Sequence, residues 1–144
     1  MDCLVCQELA GEVDLPGGLI AEDELAAAFH IPPREGQATH YLGHMLVVPR
    51  RHVDHLADLT ADEAAAVMSL AHRLSRALRS ARSPERIHLA VVGLGVAHFH
   101  LHVFPRYPGT PAEVDWQSAG EWEGAPHGDA TAIAALVNEL RAAL

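Results

Sequence analysis

The segment His98-Phe99-His100-Leu101-His102-Val103-Phe104 sets the strongest constraint on how this chain folds. In an extended strand, successive side chains point to opposite faces. His98, His100 and His102 then share one face, and Phe99, Leu101 and Val103 share the other. The apolar residues seat the strand on a core, and the imidazoles converge on a cleft. Such regular alternation supports two chemistries. One is three histidines around a single metal ion with an open fourth position. The other is catalysis by histidine itself, which is neutral and nucleophilic near neutral pH because its unperturbed pKa is about 6.5.

The elements around this segment read as an α+β fold with an antiparallel sheet of about five strands, one main helix and a C-terminal helix. Residues 3–10 form one or two helical turns. Leu19 to Glu22 and Leu25 to His30 read as short strands joined by Glu22-Asp23-Glu24. Ile31-Pro32-Pro33-Arg34-Glu35-Gly36 is a loop, because paired prolines remove donors and forbid helix. Gly43-His44-Met45-Leu46-Val47-Val48-Pro49 is a buried strand stopped by proline. Thr60-Ala61-Asp62-Glu63 has capping-box spacing. The helix it opens carries Val67, Ala71, Leu74 and Leu78 on one stripe and ends at Ser83-Pro84. Ile87 to Val92 is a strand, Gly93-Leu94-Gly95 a tight turn, and His98 to Phe104 the hairpin partner. Residues 107–128, rich in Gly and Pro with Trp116 and Trp122, form a long loop. A last helix starts near Asp129 and presents Ile133, Leu136, Val137 and Leu140.

At 144 residues the chain is expected to be one domain, with a core over about 3–107 and a loop and helix over 108–144. The formal net charge is −9, and all ten cations are arginine. This argues against nucleic-acid binding, which needs a basic surface. No apolar stretch reaches membrane-spanning length. The N-terminus lacks the basic and apolar regions of a signal peptide, so a cytoplasmic location is expected. The two cysteines stand as Cys3-Leu4-Val5-Cys6. In a reducing compartment that spacing makes either a redox centre or half of a metal site.

Gly43-His44-Met45-Leu46-Val47-Val48-Pro49-Arg50-Arg51-His52, followed by the alternating histidines and Pro105-Arg106-Tyr107, resembles the histidine triad family over about Cys3 to Tyr107. The resemblance implies an α+β fold, a homodimer joined through a continuous sheet, and chemistry at phosphorus in nucleotides. It makes His100 the nucleophile that attacks an α-phosphorus to give a nucleotidyl-histidine. His102 contacts the phosphate oxygens and assists the leaving group, and His44 supports the triad's hydrogen bonds. Gly95, through its N–H, and Arg106 are the implied substrate contacts. The Cys-x-x-Cys pair resembles the zinc-binding branch of the family, which implies a structural zinc on Cys3, Cys6, His52 and His98.

The chain departs from that family in two places. Gly93-Leu94-Gly95-Val96 lacks the serine that contacts phosphate, and no acidic residue follows Phe29 to hold a ribose. Two function classes follow. One is a hydrolase or transferase acting on nucleoside phosphoramidates, dinucleoside polyphosphates or related phosphate esters. The other is a non-catalytic, zinc-stabilised module that binds a phosphorylated ligand.

Overall fold

A computed structural model describes residues 2–144. The chain opens with helix α1 (Leu4–Leu9), then strands β1 (Ala21–Glu22), β2 (Ala26–His30), β3 (His40–Tyr41) and β4 (Met45–Pro49). The long helix α2 (Ala61–Arg82) follows, then β5 (Arg86–Ala90), β6 (Leu101–Arg106), β7 (His127–Gly128) and helix α3 (Ala130–Ala143). Five strands form an antiparallel sheet in the order β1-β2-β4-β6-β5, and β3 pairs separately with β7. The α+β expectation therefore holds. Among the described residues, no helix is long and apolar enough to cross a membrane.

Both faces of the sheet centre are covered, which explains why β2 and β4 read as unbroken apolar runs rather than alternating ones. On one face Ala26, Ala28, Met45, Val47, Leu101 and Val103 pack under α2 and α3. On the other, Ala27, Phe29, Leu46 and Val48 pack against Cys3, Val5 and Leu15 of the N-terminal segment. Helix α3 belongs to the main core: Ile133, Leu136, Val137 and Leu140 are fully buried. Each such side chain is worth about 1.5–3 kcal/mol relative to exposure.

Helix α2 starts where the capping box predicts. The Thr60 hydroxyl accepts from the Glu63 N–H at 3.1 Å, and the Glu63 carboxylate accepts from the Thr60 N–H at 2.8 Å. Glu63 also takes two hydrogen bonds from the Arg51 guanidinium, both at 2.8 Å. That grip fixes the segment after β4 to the start of α2. Replacing Thr60 with Ala should cost about 1 kcal/mol, a fall of roughly 2–4 °C in Tm on thermal unfolding. An unchanged Tm would contradict the contribution of the cap.

Three local expectations are corrected. Strand β6 begins at Leu101, not His98. The β4–β6 register pairs Met45 with Val103 and Val47 with Leu101. Continued, it sets Pro49 opposite Phe99, and proline has no N–H for the ladder. There the Phe99 N–H donates instead to the Val53 carbonyl at 2.6 Å. The turn at Gly93-Leu94-Gly95 is not tight either: β5 ends at Ala90, and residues 91–100 form a loop that leaves Val91, Val92 and Leu94 exposed. Finally, the long loop over 107–128 is not loop throughout: it ends in β7, which pairs with β3.

Candidate functional site

The turn from β3 into β4 places the first of the site's histidines. Gly43 has φ +95°, and a Cβ there would lie 2.8 Å from both Pro105 Cγ and Tyr107 Oη. Only glycine allows this approach to β6. Two tyrosines latch the same junction: Tyr41 Oη donates to the Pro105 carbonyl at 2.8 Å, and Tyr107 Oη donates to the Leu42 carbonyl at 3.0 Å. His44 is thereby held against β6, on the face that carries Leu46 and His102.

Hydrogen-bond geometry fixes which nitrogen of His100 is free. His100 is buried, and its Nδ1 lies 2.7 Å from the His98 carbonyl. A carbonyl only accepts, so Nδ1 carries the proton and Nε2 of the neutral ring keeps its lone pair. The His102 ring lies beside it, with centroids 5.1 Å apart. His102 Nδ1 meets His44 Nε2 at 2.9 Å, which leaves His102 Nε2 as its outward nitrogen. Burial, reinforced by neighbouring imidazoles and Arg34, pushes His44 down to about 2 and His102 to about 4. Both are neutral at ordinary pH. A cavity of about 610 Å³ opens on His102 and His44, walled by Phe104 and Trp116 and rimmed by Arg34. Trp116 covers Phe104, with rings 5.7 Å apart and 21° between planes.

The fully buried His98 turns to a second group. Its Nε2 lies 2.8 Å from the Pro49 carbonyl and therefore donates, so Nδ1 is the unprotonated nitrogen. That Nδ1 stands 3.5 Å from the Sγ atoms of both Cys3 and Cys6. His52 Nδ1 is 3.4 Å from Cys6 Sγ. One donor atom from each of Cys3, Cys6, His52 and His98 lies within 4.8 Å of the others. Cys3 caps α1, its sulfur accepting the Cys6 N–H at 3.4 Å. Burial holds the pKa of His98 below its ordinary value, which favours the neutral form that ligates.

The structure places the remaining candidates as follows. The Gly95 backbone lies with Cys3 and His52 at a smaller surface pocket, away from the cavity beside His102. Arg106 donates to the Val114 and Pro111 carbonyls at 2.9 and 2.7 Å, so its guanidinium holds the 107–128 loop. Two histidines that the sequence reading did not single out belong to the site. His40 Nε2 lies 3.0 Å from His44 Nδ1. His30 accepts the Gly43 N–H on Nε2 at 2.9 Å and donates from Nδ1 to the Ile31 carbonyl at 2.7 Å. The spacing His40-x-x-x-His44 was visible, but nothing local says that the chain reverses between them.

Residues 14–109 match the model of the HIT domain. The chain belongs to the HIT domain family. Over 111 residues, this HIT domain is 30% identical to Protein hit of Bacillus subtilis, covering 74% of this chain and 72% of that one. Over 74 residues it is 34% identical to AP-4-A phosphorylase of Mycobacterium tuberculosis, covering 46% of this chain and 37% of that enzyme. Its fold is that of a Zn-bound histidine triad family protein from Mycobacterium smegmatis. The TM-score is 0.74 at 23% identity, covering 99% of this chain and 94% of the other.

Proposed function

We propose that this HIT domain is a nucleotide phosphohydrolase or nucleotidyl transferase acting at the α-phosphorus through a covalent nucleotidyl-histidine on His100. The observation that carries this reading is the His100 tautomer: a backbone carbonyl occupies Nδ1 and leaves the Nε2 lone pair unengaged. His100 Nε2 would bond to phosphorus as the bond to the leaving group breaks, and His102 Nε2 would give that group a proton. Water would then attack the phosphorus and release the nucleotide and His100. Dividing the displacement in this way replaces one hard step with two easier ones. The likeness to AP-4-A phosphorylase supports a nucleotide substrate.

The cavity borders His102 and His44 and would take the leaving group. Arg34 at its rim would favour an anionic substrate. His44 would hold His102 in register by their 2.9 Å contact. Gly95 lines the other pocket and gives the substrate no contact at this cavity, and Arg106 would act on the substrate only through the loop it holds.

A zinc ion suits the second cluster. Two thiols and two imidazoles are the donor set of a closed structural site, and the Pro49 carbonyl already orients His98 as an outer partner should. Cys3, Cys6, His52 and His98 would hold the ion, which would tie α1 and the N-terminal segment to the residue two before the nucleophile. Support for zinc comes from the four converging donors and from the Zn-bound relative of the same fold.

A panel of adenosine and guanosine phosphoramidates and dinucleoside polyphosphates tests this function. Release of nucleoside monophosphate is the expected result. Tight binding with no release from any of them would favour the binding-module reading. The assembly has its own prediction. Strand β5 is an outer strand of the sheet, and Leu89, Val91 and Val92 on and beyond it are exposed. An open apolar edge is a liability in a monomer. Light scattering at micromolar concentration should give the mass of a symmetric homodimer, and a monomer mass would contradict it.

A further inference from the structure

The imidazole cluster extends past the triad in an ordered row. His40 Nε2 meets His44 Nδ1 at 3.0 Å, and His44 Nε2 meets His102 Nδ1 at 2.9 Å. The ring planes are nearly parallel at the first contact, 21° apart with centroids 5.1 Å apart, so the two rings meet edge to edge through these nitrogens. A neutral imidazole donates from one nitrogen and accepts at the other. The row therefore has two self-consistent arrangements. In one, His40 donates to His44, His44 donates to His102, and His102 carries its proton on Nε2. In the other, each ring's proton has moved to its other nitrogen, and His102 Nε2 bears a lone pair.

We propose that His40 is the outer end of a three-imidazole proton relay that reloads His102 from the cavity. This rests on the roles proposed above for His100 and His102. As the bond from phosphorus to the leaving group breaks, the departing atom takes the Nε2 proton of His102. His102 Nδ1 takes the proton of His44 Nε2, and His44 Nδ1 takes that of His40 Nε2. His40 Nδ1 then takes one from bulk water, leaving hydroxide. When water attacks the nucleotidyl-histidine, His102 Nε2 accepts its proton and the row runs backwards. A proton returns from His40 Nδ1 to neutralise the hydroxide. All three rings are neutral at each stage, and His40 never touches phosphorus, so it is a positioning residue.

Three observations favour the relay over a packing role for His40. His40, His44 and His102 all line the same cavity, so the row has an outer end that faces solvent. Burial and the charges nearby push the three rings to about 4, about 2 and about 4. They therefore stay neutral, whereas a cationic ring would donate from both nitrogens and break the row. His30 lies edge-on to His40 at 6.2 Å but cannot extend the row, because both its nitrogens are occupied by backbone groups.

The test compares the parent with His40→Ala and His40→Gln on two esters or amides of one nucleoside monophosphate. One releases a basic alkylamine, which must be protonated; the other releases p-nitrophenolate, which need not be. Both variants should lose roughly 10- to 100-fold in the first-turnover rate of amine release from the amide, with the first-turnover burst of p-nitrophenolate from the ester changed less than about twofold. Glutamine can donate to His44 but cannot pass a proton on, so it should not rescue. Equal losses on both substrates, or rescue by glutamine, would overturn the relay. Nitrogen-15 NMR of the parent near pH 7 should find three neutral rings with coupling across both N–H···N contacts. A cationic His44, or no coupling between His40 and His44, would overturn it independently of turnover. If the couplings are present and the parent turns over neither substrate, the proposed function fails and the relay's role fails with it.

Discussion

Replacing His100 with Ala should lower turnover by roughly 10⁴-fold or more while the protein stays folded, the loss expected when a covalent route is deleted. The ring is held by one hydrogen bond to the His98 carbonyl. It stands on the face of the segment opposite Phe99, Leu101 and Val103, which pack in the main core. Its removal takes an imidazole from the site and leaves that core intact. Ligand binding should persist, because Arg34 and the walls of the cavity remain. Replacing His102 should cost less, since solvent can partly protonate a leaving group. Steady-state kinetics with a thermal melt on each variant reads both effects. Near-parental turnover by His100→Ala would remove the nucleophile from the proposed reaction.

Removal of zinc should produce the second large effect, on stability. Each chain should carry about one zinc ion when purified without added metal, by elemental analysis. At free zinc about a hundredfold above its Kd, binding stabilises by about 2.7 kcal/mol, equivalent to roughly 5–10 °C in Tm for a chain of this size. Chelation should lower Tm by about that amount, and readdition of zinc should restore it. His98→Ala should do the same irreversibly, because it removes a ligand and leaves the Pro49 carbonyl without its donor. A metal-free, fully folded protein with both thiols freely titratable would sink the assignment.

Much of this site was legible because it depends on short-range periodicity. Alternation alone separates His98, His100 and His102 from the core residues between them, and it survives even though β6 starts only at Leu101. The α2 start followed from Thr60 and Glu63, and the α3 core face from Ile133, Leu136, Val137 and Leu140. What was not legible depends on distant partners. That the ladder stops short of residues 98–100 follows from Pro49, which meets them only through the β4–β6 register. Arg106 read as a cation near a phosphate site, yet its hydrogen bonds go to carbonyls of the following loop. His40 is four residues from His44 in sequence, and only the reversal at Gly43 brings its ring onto His44.

The central claim is that His100 Nε2 becomes bonded to the nucleotide's phosphorus. It is tested most directly by quenching the protein with substrate under mildly alkaline conditions and mapping the adduct by mass spectrometry. A phosphorus–nitrogen bond to imidazole is acid-labile. The expected product is one nucleoside monophosphate per chain, on His100, lost on brief acid treatment and absent from His100→Ala. An adduct on any other residue, or turnover with no adduct at any time after mixing, would contradict the account.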